Sequence, residues 1–308
     1  LSLGASLMAT QGYTAVEVEH TYTRAQELCL HVGEPLQVSQ VLFGMYAFNA
    51  VRGNLKASLA LGEQFLTVAH RQQDSTLSLV VHTALGETLL FLGEFTRAQA
   101  HLDQAGAFYD PEHHRDLAYL MGLDPGLLAL VFAAKALWYR GYPDQALERA
   151  HHARSVAQVL SHPFSVANVL YGVALVHLFR REGQDAQAQA EALLTLAHEH
   201  GFAFFSAWGT SLQGWALVER AAQSGAREQG EAGLGQLREG LAAMRATGAG
   251  VFAPLFLGAL AQGYADGNQT EDGLRVVAEA LAMVEKNGER WVEAELYRLK
   301  GQLTLQKF

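Results

Sequence analysis

The sequence predicts an all-α protein: a right-handed α-solenoid of about seven helix–turn–helix hairpins with a repeat of about 42 residues. Three observations lead there. Leu79, His82, Leu85, Gly86, Leu89 and Leu90 fall at three-to-four-residue spacing, one stripe of a helix, and after Gly93-Glu94-Phe95 a second stripe runs through Phe95, Ala98, Leu102 and Ala105. Glycines that end a first helix recur at Gly12, Gly53, Gly93, Gly141, Gly183, Gly225 and Gly267, each expected to supply the left-handed backbone that other residues resist. No run of four to eight β-branched residues alternates with period two, so no sheet is expected.

The hairpin around Gly93 sets the pattern. Small residues at Gly86 and Ala98 let two antiparallel helices approach, while Leu89, Phe95 and Leu102 fill the seam. A lone hairpin cannot bury its stripe, so neighbours must stack on both sides. Small, large, Gly-acid-aromatic turn, Ala, large, Ala is an order of residues that resembles the tetratricopeptide repeat.

In chain order, a second helix is expected over 16–32, ending at Gly33-Glu34-Pro35. Helices over 38–51 and 55–71 form the next hairpin, and Asp74-Ser75 offers an N-cap to the one after it. Residues 109–126, with two prolines and two glycines, read as an inter-repeat loop with one short helical turn. Hairpins resume at Leu127, at Phe164 and at Ala203. The sixth has a long polar turn, AAQSGAREQGEAG, with its second helix over 231–246. A seventh spans 252–286, and a last helix over 291–305 is left without a partner. Residues 1–308 are read as one solenoid with no dividing linker. The chain opens without Met and inside a helix, which points to a piece of a longer polypeptide.

Half of the 308 residues are hydrophobic and 17% are charged, enough for a core. No apolar run is long enough to span a bilayer, and no export signal is visible, so the expectation is a cytoplasmic protein with no membrane contact. Cys29 is the only cysteine, which excludes an intrachain disulfide; a buried, inert thiol is expected. The net charge of −9 argues against nucleic acid as a partner.

Catalytic and cofactor motifs are missing, so no catalytic residue, cofactor or metal is assigned. Gly-Lys-Ser/Thr occurs nowhere. Gly248-Ala249-Gly250-Val251-Phe252-Ala253 matches a dinucleotide fingerprint but follows a helix where the fingerprint needs a strand, so it reads as an inter-repeat turn. Gly209 to Gly214 has the wrong spacing for a nucleophile elbow and reads as a close helix contact. The thirteen histidines, including His113-His114 and His151-His152, lack i,i+4 partners and are expected on the surface.

In such a superhelix the first helices line the concave face. There the register places Glu87 and Phe91, then Lys135, Trp138 and Tyr139, then His177, Arg180 and Arg181, then Trp208 and Trp215, and finally Tyr264. Lys135, Trp138, Tyr139, His177, Arg180, Trp208 and Trp215 are the candidate groove residues, between the fourth and sixth hairpins. Cations and flat aromatic surface together suit an acidic or C-terminal peptide.

Several phrases are more specific: Leu3-Gly4-Ala5 with Gln11-Gly12-Tyr13, Tyr22 to Cys29, Gly230-Glu231-Ala232-Gly233-Leu234, and Gly288-Glu289-Arg290 with Ala294-Glu295-Leu296-Tyr297-Arg298-Leu299-Lys300-Gly301. Together they resemble the C-terminal tetratricopeptide region of large bacterial signalling ATPases, whose chains begin with a nucleotide-cyclase or winged-helix domain followed by an AAA-like ATPase. The resemblance implies a non-catalytic regulatory arm that binds a peptide or protein segment, such as the ATPase or cyclase domains of its own chain. The chain resembles more loosely the sugar-binding helical region of maltose-activator-type regulators, which implies a small-molecule sensor. An α/α-toroid enzyme is the third reading, and it requires a closed ring with two carboxylates at its mouth.

Overall fold

A computed structural model describes residues 2–32 and 35–307. Among the described residues seven antiparallel hairpins follow one another: α1 (Ser2–Gln11) with α2 (Val16–Val32), α3 (Pro35–Arg52) with α4 (Leu55–Gln72), and α5 (Ser75–Phe91) with α6 (Phe95–Phe108). After the short α7 (Leu117–Met121) come α8 (Pro125–Tyr139) with α9 (Pro143–Leu160), and α10 (Pro163–Phe179) with α11 (Gly183–His200). Then come α12 (Ala203–Ser224) with α13 (Arg227–Ala246), α14 (Ala253–Asp266) with α15 (Thr270–Asn287), and the final α16 (Glu293–Gln306). No strand occurs among the described residues. From α3 onward each first helix packs on its own partner and on the next first helix, as α5, α8, α10, α12, α14 and α16 do in turn, which makes a right-handed solenoid. Gly33 and Glu34, the expected stop signal, lie outside the described residues.

Local chemistry explains most boundaries. Asp74 and Asp124 are N-caps whose carboxylates accept from the amides of Leu77 (2.7 Å) and Leu127 (2.8 Å). At the hairpin turns two hydrogen bonds repeat: Gly93 N–H to Leu90 O and Glu94 N–H to Leu89 O, then the same pair at Gly141-Tyr142, Arg181-Glu182 and Asn268-Gln269. Residue C′ of that motif needs a left-handed backbone. Gly93 and Gly141 provide it, but in the fifth and seventh turns it falls on Arg181 (φ 61°) and Asn268 (φ 58°). Gly183 and Gly267, expected to play this part, do not. The first opens α11 and the second precedes the left-handed residue.

The sixth hairpin also departs from expectation. The polar stretch after Ser224 is helical, and the turn shrinks to Gly225-Ala226. Its glycines are there for helix contact: a Cβ on Gly214 would lie 2.7 Å from the Gly233 carbonyl oxygen, so only two glycines allow this approach of α12 to α13. Cys29 is half-buried, more open than expected. Buried histidines are a further correction: His82, His114 and His177 are all inside, and His114 Nδ1 accepts from the Asp110 amide (3.1 Å) to brace the loop before α7.

The superhelix winds tightly enough for distant hairpins to touch. Two inter-hairpin loops cross to the ends of early first helices. The Val51 carbonyl accepts from Gly250 N–H (2.7 Å) and Val251 N–H (3.2 Å), and the Phe91 carbonyl accepts from Arg290 N–H (2.7 Å) and Trp291 N–H (3.2 Å). These carbonyls are helix-terminal acceptors without an intrahelical donor, so the loops satisfy them. Val51 to Gly250 and Phe91 to Arg290 are equal separations along the chain. Equal steps mark one turn of a spiral, whereas a ring would join the first hairpin to the last.

Candidate binding site

Where the two crossing loops meet the first helices, aromatic rings cluster. Phe252 sits edge-on to Phe91 (5.1 Å between centroids), Trp291 (5.5 Å) and Trp208 (4.5 Å). Phe252 holds a left-handed backbone (φ 67°), which a side chain of its bulk adopts only under constraint. Glu289 supplies that constraint. Fully buried, its carboxylate accepts from the Phe252 amide (3.0 Å) and the Trp291 indole N–H (2.7 Å). Burial pushes the Glu289 carboxyl up to about 7, and those two hydrogen bonds only partly oppose the shift.

Beneath the cluster lies a small cavity of about 40 Å³, bounded by α3, α5, α8, α10, α12 and Phe252. Lys135 of α8 points into it. Its side chain is fully buried, and its Nζ lies 4.1 Å from the Phe132 ring centroid, 4.8 Å from that of Tyr171 and 5.3 Å from that of Phe252. Glu87 of α5 faces the same space, but no carboxylate among the described residues comes within 4 Å of the ammonium. Burial pulls Lys135 down and pushes Glu87 up, while the attraction between them opposes both shifts. The Tyr171 hydroxyl, Asn168 Oδ1 and Trp208 Nε1 also line the cavity, buried and without a hydrogen-bond partner, and the Tyr46 hydroxyl lies there beside the Glu87 carboxylate.

A second, larger hollow of about 670 Å³ lies across the C-terminal ends of α8 and α10 and along α12, α14 and α16. Its floor is aromatic: Trp138 stacks on Phe179 (5.7 Å), Phe179 meets Trp215 edge-on (6.1 Å), and Tyr139 packs between Phe95 (4.8 Å) and Trp291 (5.6 Å). Arg181, Arg290 and Arg298 stand exposed at the rim, with Glu219 and Glu295 among them. The Arg290 and Arg298 pairs are solvent-screened and separate at little cost. Burial and the nearby carboxylates Glu295 and Glu289 hold the Tyr139 hydroxyl in its neutral form.

The seven residues that the sequence nominated therefore lie in three places. Lys135 and Trp208 belong to the small cavity, and Trp138, Tyr139 and Trp215 to the larger groove. His177 and Arg180 sit at the turn between α10 and α11, where both bind Glu182: His177 Nδ1 at 2.7 Å and Arg180 Nε at 2.7 Å, with Arg180 also reaching Asp144 (2.9 Å). Burial pushes the Glu182 carboxyl up, but these hydrogen bonds outweigh it and hold it low. His177, Glu182 and Asp185 could together offer three ligand atoms to a metal ion, although the Arg180 guanidinium already occupies one Glu182 oxygen.

Sequence reasoning missed Tyr46, Asn168 and Tyr171 in the cavity and Arg290, Trp291 and Arg298 at the groove. A signal existed for the first group. Lys135 is the only charged residue of α8, and Asn168 interrupts the apolar α10. A lone polar group in an apolar helix faces something it must satisfy.

No family model matches the chain, and no curated protein matches it. Among solved structures it is similar to a Rap protein complexed with competence and sporulation factor, at 12% identity and a TM-score of 0.50, over 99% of this chain and 97% of that one. The likeness extends over both chains from end to end, and at this identity it speaks for the helical-repeat solenoid alone. No described helix is long and apolar enough to cross a membrane.

Proposed function

We propose that this chain is a non-catalytic regulatory module that binds a peptide or protein segment in the concave groove and biases an attached ATPase or cyclase. The observation that carries the reading is the groove itself: a continuous aromatic floor from Phe95 through Trp138 and Phe179 to Trp215, open to solvent and rimmed by arginines. Flat aromatic surface at the centre and ionic groups at the edge is the anatomy of a segment-binding site. Arginine gives an acidic or C-terminal segment bidentate partners. The Rap protein with its bound factor adds a precedent for a ligand held on the same class of scaffold. Trp138, Tyr139 and Trp215 are the contact residues in this reading. His177 and Arg180 fix the turn that presents Arg181.

The test is titration of a labelled acidic peptide against wild type and an Arg181→Glu/Arg298→Glu variant at two salt concentrations. The variant should lose on the order of 2 kcal/mol of binding, and most of the difference should vanish at high salt. Equal affinity at low salt removes the groove from the account.

A further inference from the structure

We propose that the small cavity around Lys135 is a second binding site, for a small organic acid that carries a hydrogen-bond donor beside its carboxylate. The lining is mostly donor. Lys135 Nζ, Trp208 Nε1 and the hydroxyls of Tyr46 and Tyr171 all face the same space, and Trp208 Nε1 and the Tyr171 hydroxyl have no acceptor among the described residues. Among the described residues of the lining, the acceptor without a partner is Asn168 Oδ1, and the Glu87 carboxylate, beside the Tyr46 hydroxyl, faces the same space. Buried polar groups are nearly always partnered, so this concentration of unpartnered ones, in one place and around one cation, calls for an occupant.

The occupant's chemistry follows from the groups. Water would satisfy the neutral donors but leaves the ammonium without a counter-charge within 4 Å. A carboxylate supplies that charge and accepts from Trp208 and Tyr171 as well. A hydroxyl or ammonium next to it donates to Asn168 or Glu87. A volume of about 40 Å³ for water-sized occupants holds roughly three waters, the bulk of a three-carbon acid such as lactate or alanine. The aromatic faces of Phe132, Tyr171 and Phe252 close around the aliphatic part. Val51 and Phe252 complete the wall. The cavity is separate from the groove, and the two readings stand or fall apart.

The experiment is a nitrogen–proton correlation spectrum of the full chain, in which the Trp208 indole peak is assigned with Trp208→Phe. The probes are lactate, alanine and propionate, with sodium chloride as the ionic control. Lactate or alanine should move the Trp208 peak saturably, propionate should bind about tenfold more weakly because it leaves Asn168 and Glu87 unmet, and chloride should do nothing. Lys135→Met removes the cation at nearly constant shape and should abolish the shift. Tyr171→Phe, which deletes one unpartnered hydroxyl from an intact core, should weaken it and serves if Lys135→Met does not fold. A Trp208 peak unmoved by all three acids, moved equally by chloride, or moved as well in the variants overturns the proposal. Movement of Trp138 and Trp215 alone overturns it too, and leaves the groove reading in place.

Discussion

Phe91 and Arg290 meet across one turn of the superhelix: the carbonyl at the end of α5 accepts the Arg290 amide at 2.7 Å. The neighbouring contact, Val51 with Gly250, repeats this geometry one hairpin earlier. Between them these contacts hold the aromatic cluster, the cavity wall and one side of the groove in register.

The Val51 contact depends on a residue without a Cβ. An added Cβ at Gly250 would fall 2.2 Å from the Arg52 carbonyl oxygen, which belongs to backbone and cannot swing aside. Gly250→Ala should therefore cost about 1–3 kcal/mol in denaturant unfolding. Gly301→Ala in α16 meets nothing within 4 Å and should instead gain roughly 0.5–1 kcal/mol. Equal effects of the two substitutions would count against the contact.

The turns give a prediction with opposite signs. Gly93 has φ 79°, so Gly93→Val should lose about 1–2 kcal/mol. Arg181 holds φ 61° in the equivalent place, and Arg181→Gly should gain roughly 0.5–1 kcal/mol despite losing its 3.9 Å pair with Glu219. Melting temperatures that move the same way in both would contradict the shared turn geometry.

Glu289 makes stability depend on pH. Its folded value of about 7 lies above its ordinary 4.5, so the folded chain binds the extra proton between those values. Stability from this group is complete near pH 4.5 and is lost as pH rises through 7. The swing is at most about 3 kcal/mol. Glu289→Gln should flatten the difference in melting temperature between pH 5 and pH 8. An undiminished slope in the variant would place the titration elsewhere.

Much of this architecture was legible because it is local. Apolar stripes, the Asp74 cap and the Gly93 turn are each written within a few residues, and the hairpins around them appear where the spacing puts them. Gly183 misled because the regular glycine spacing mimics turn register, while the left-handed position falls on Arg181, which no composition rule marks. The groove floor was partly legible in Trp138, Tyr139 and Trp215, since helix register alone directs them inward. Lys135 lies on the same helix but deeper. Whether it reaches the groove or the core depends on how far the superhelix winds, a property of contacts such as Phe91 to Arg290 that join distant parts of the chain.

The most direct test of the central claim is which tryptophans sense a bound segment. An acidic peptide titrated into the labelled protein should shift the indole peaks of Trp138 and Trp215, which floor the groove, and leave that of Trp208 in the small cavity unmoved. Saturable binding that leaves Trp138 and Trp215 unchanged would contradict the account.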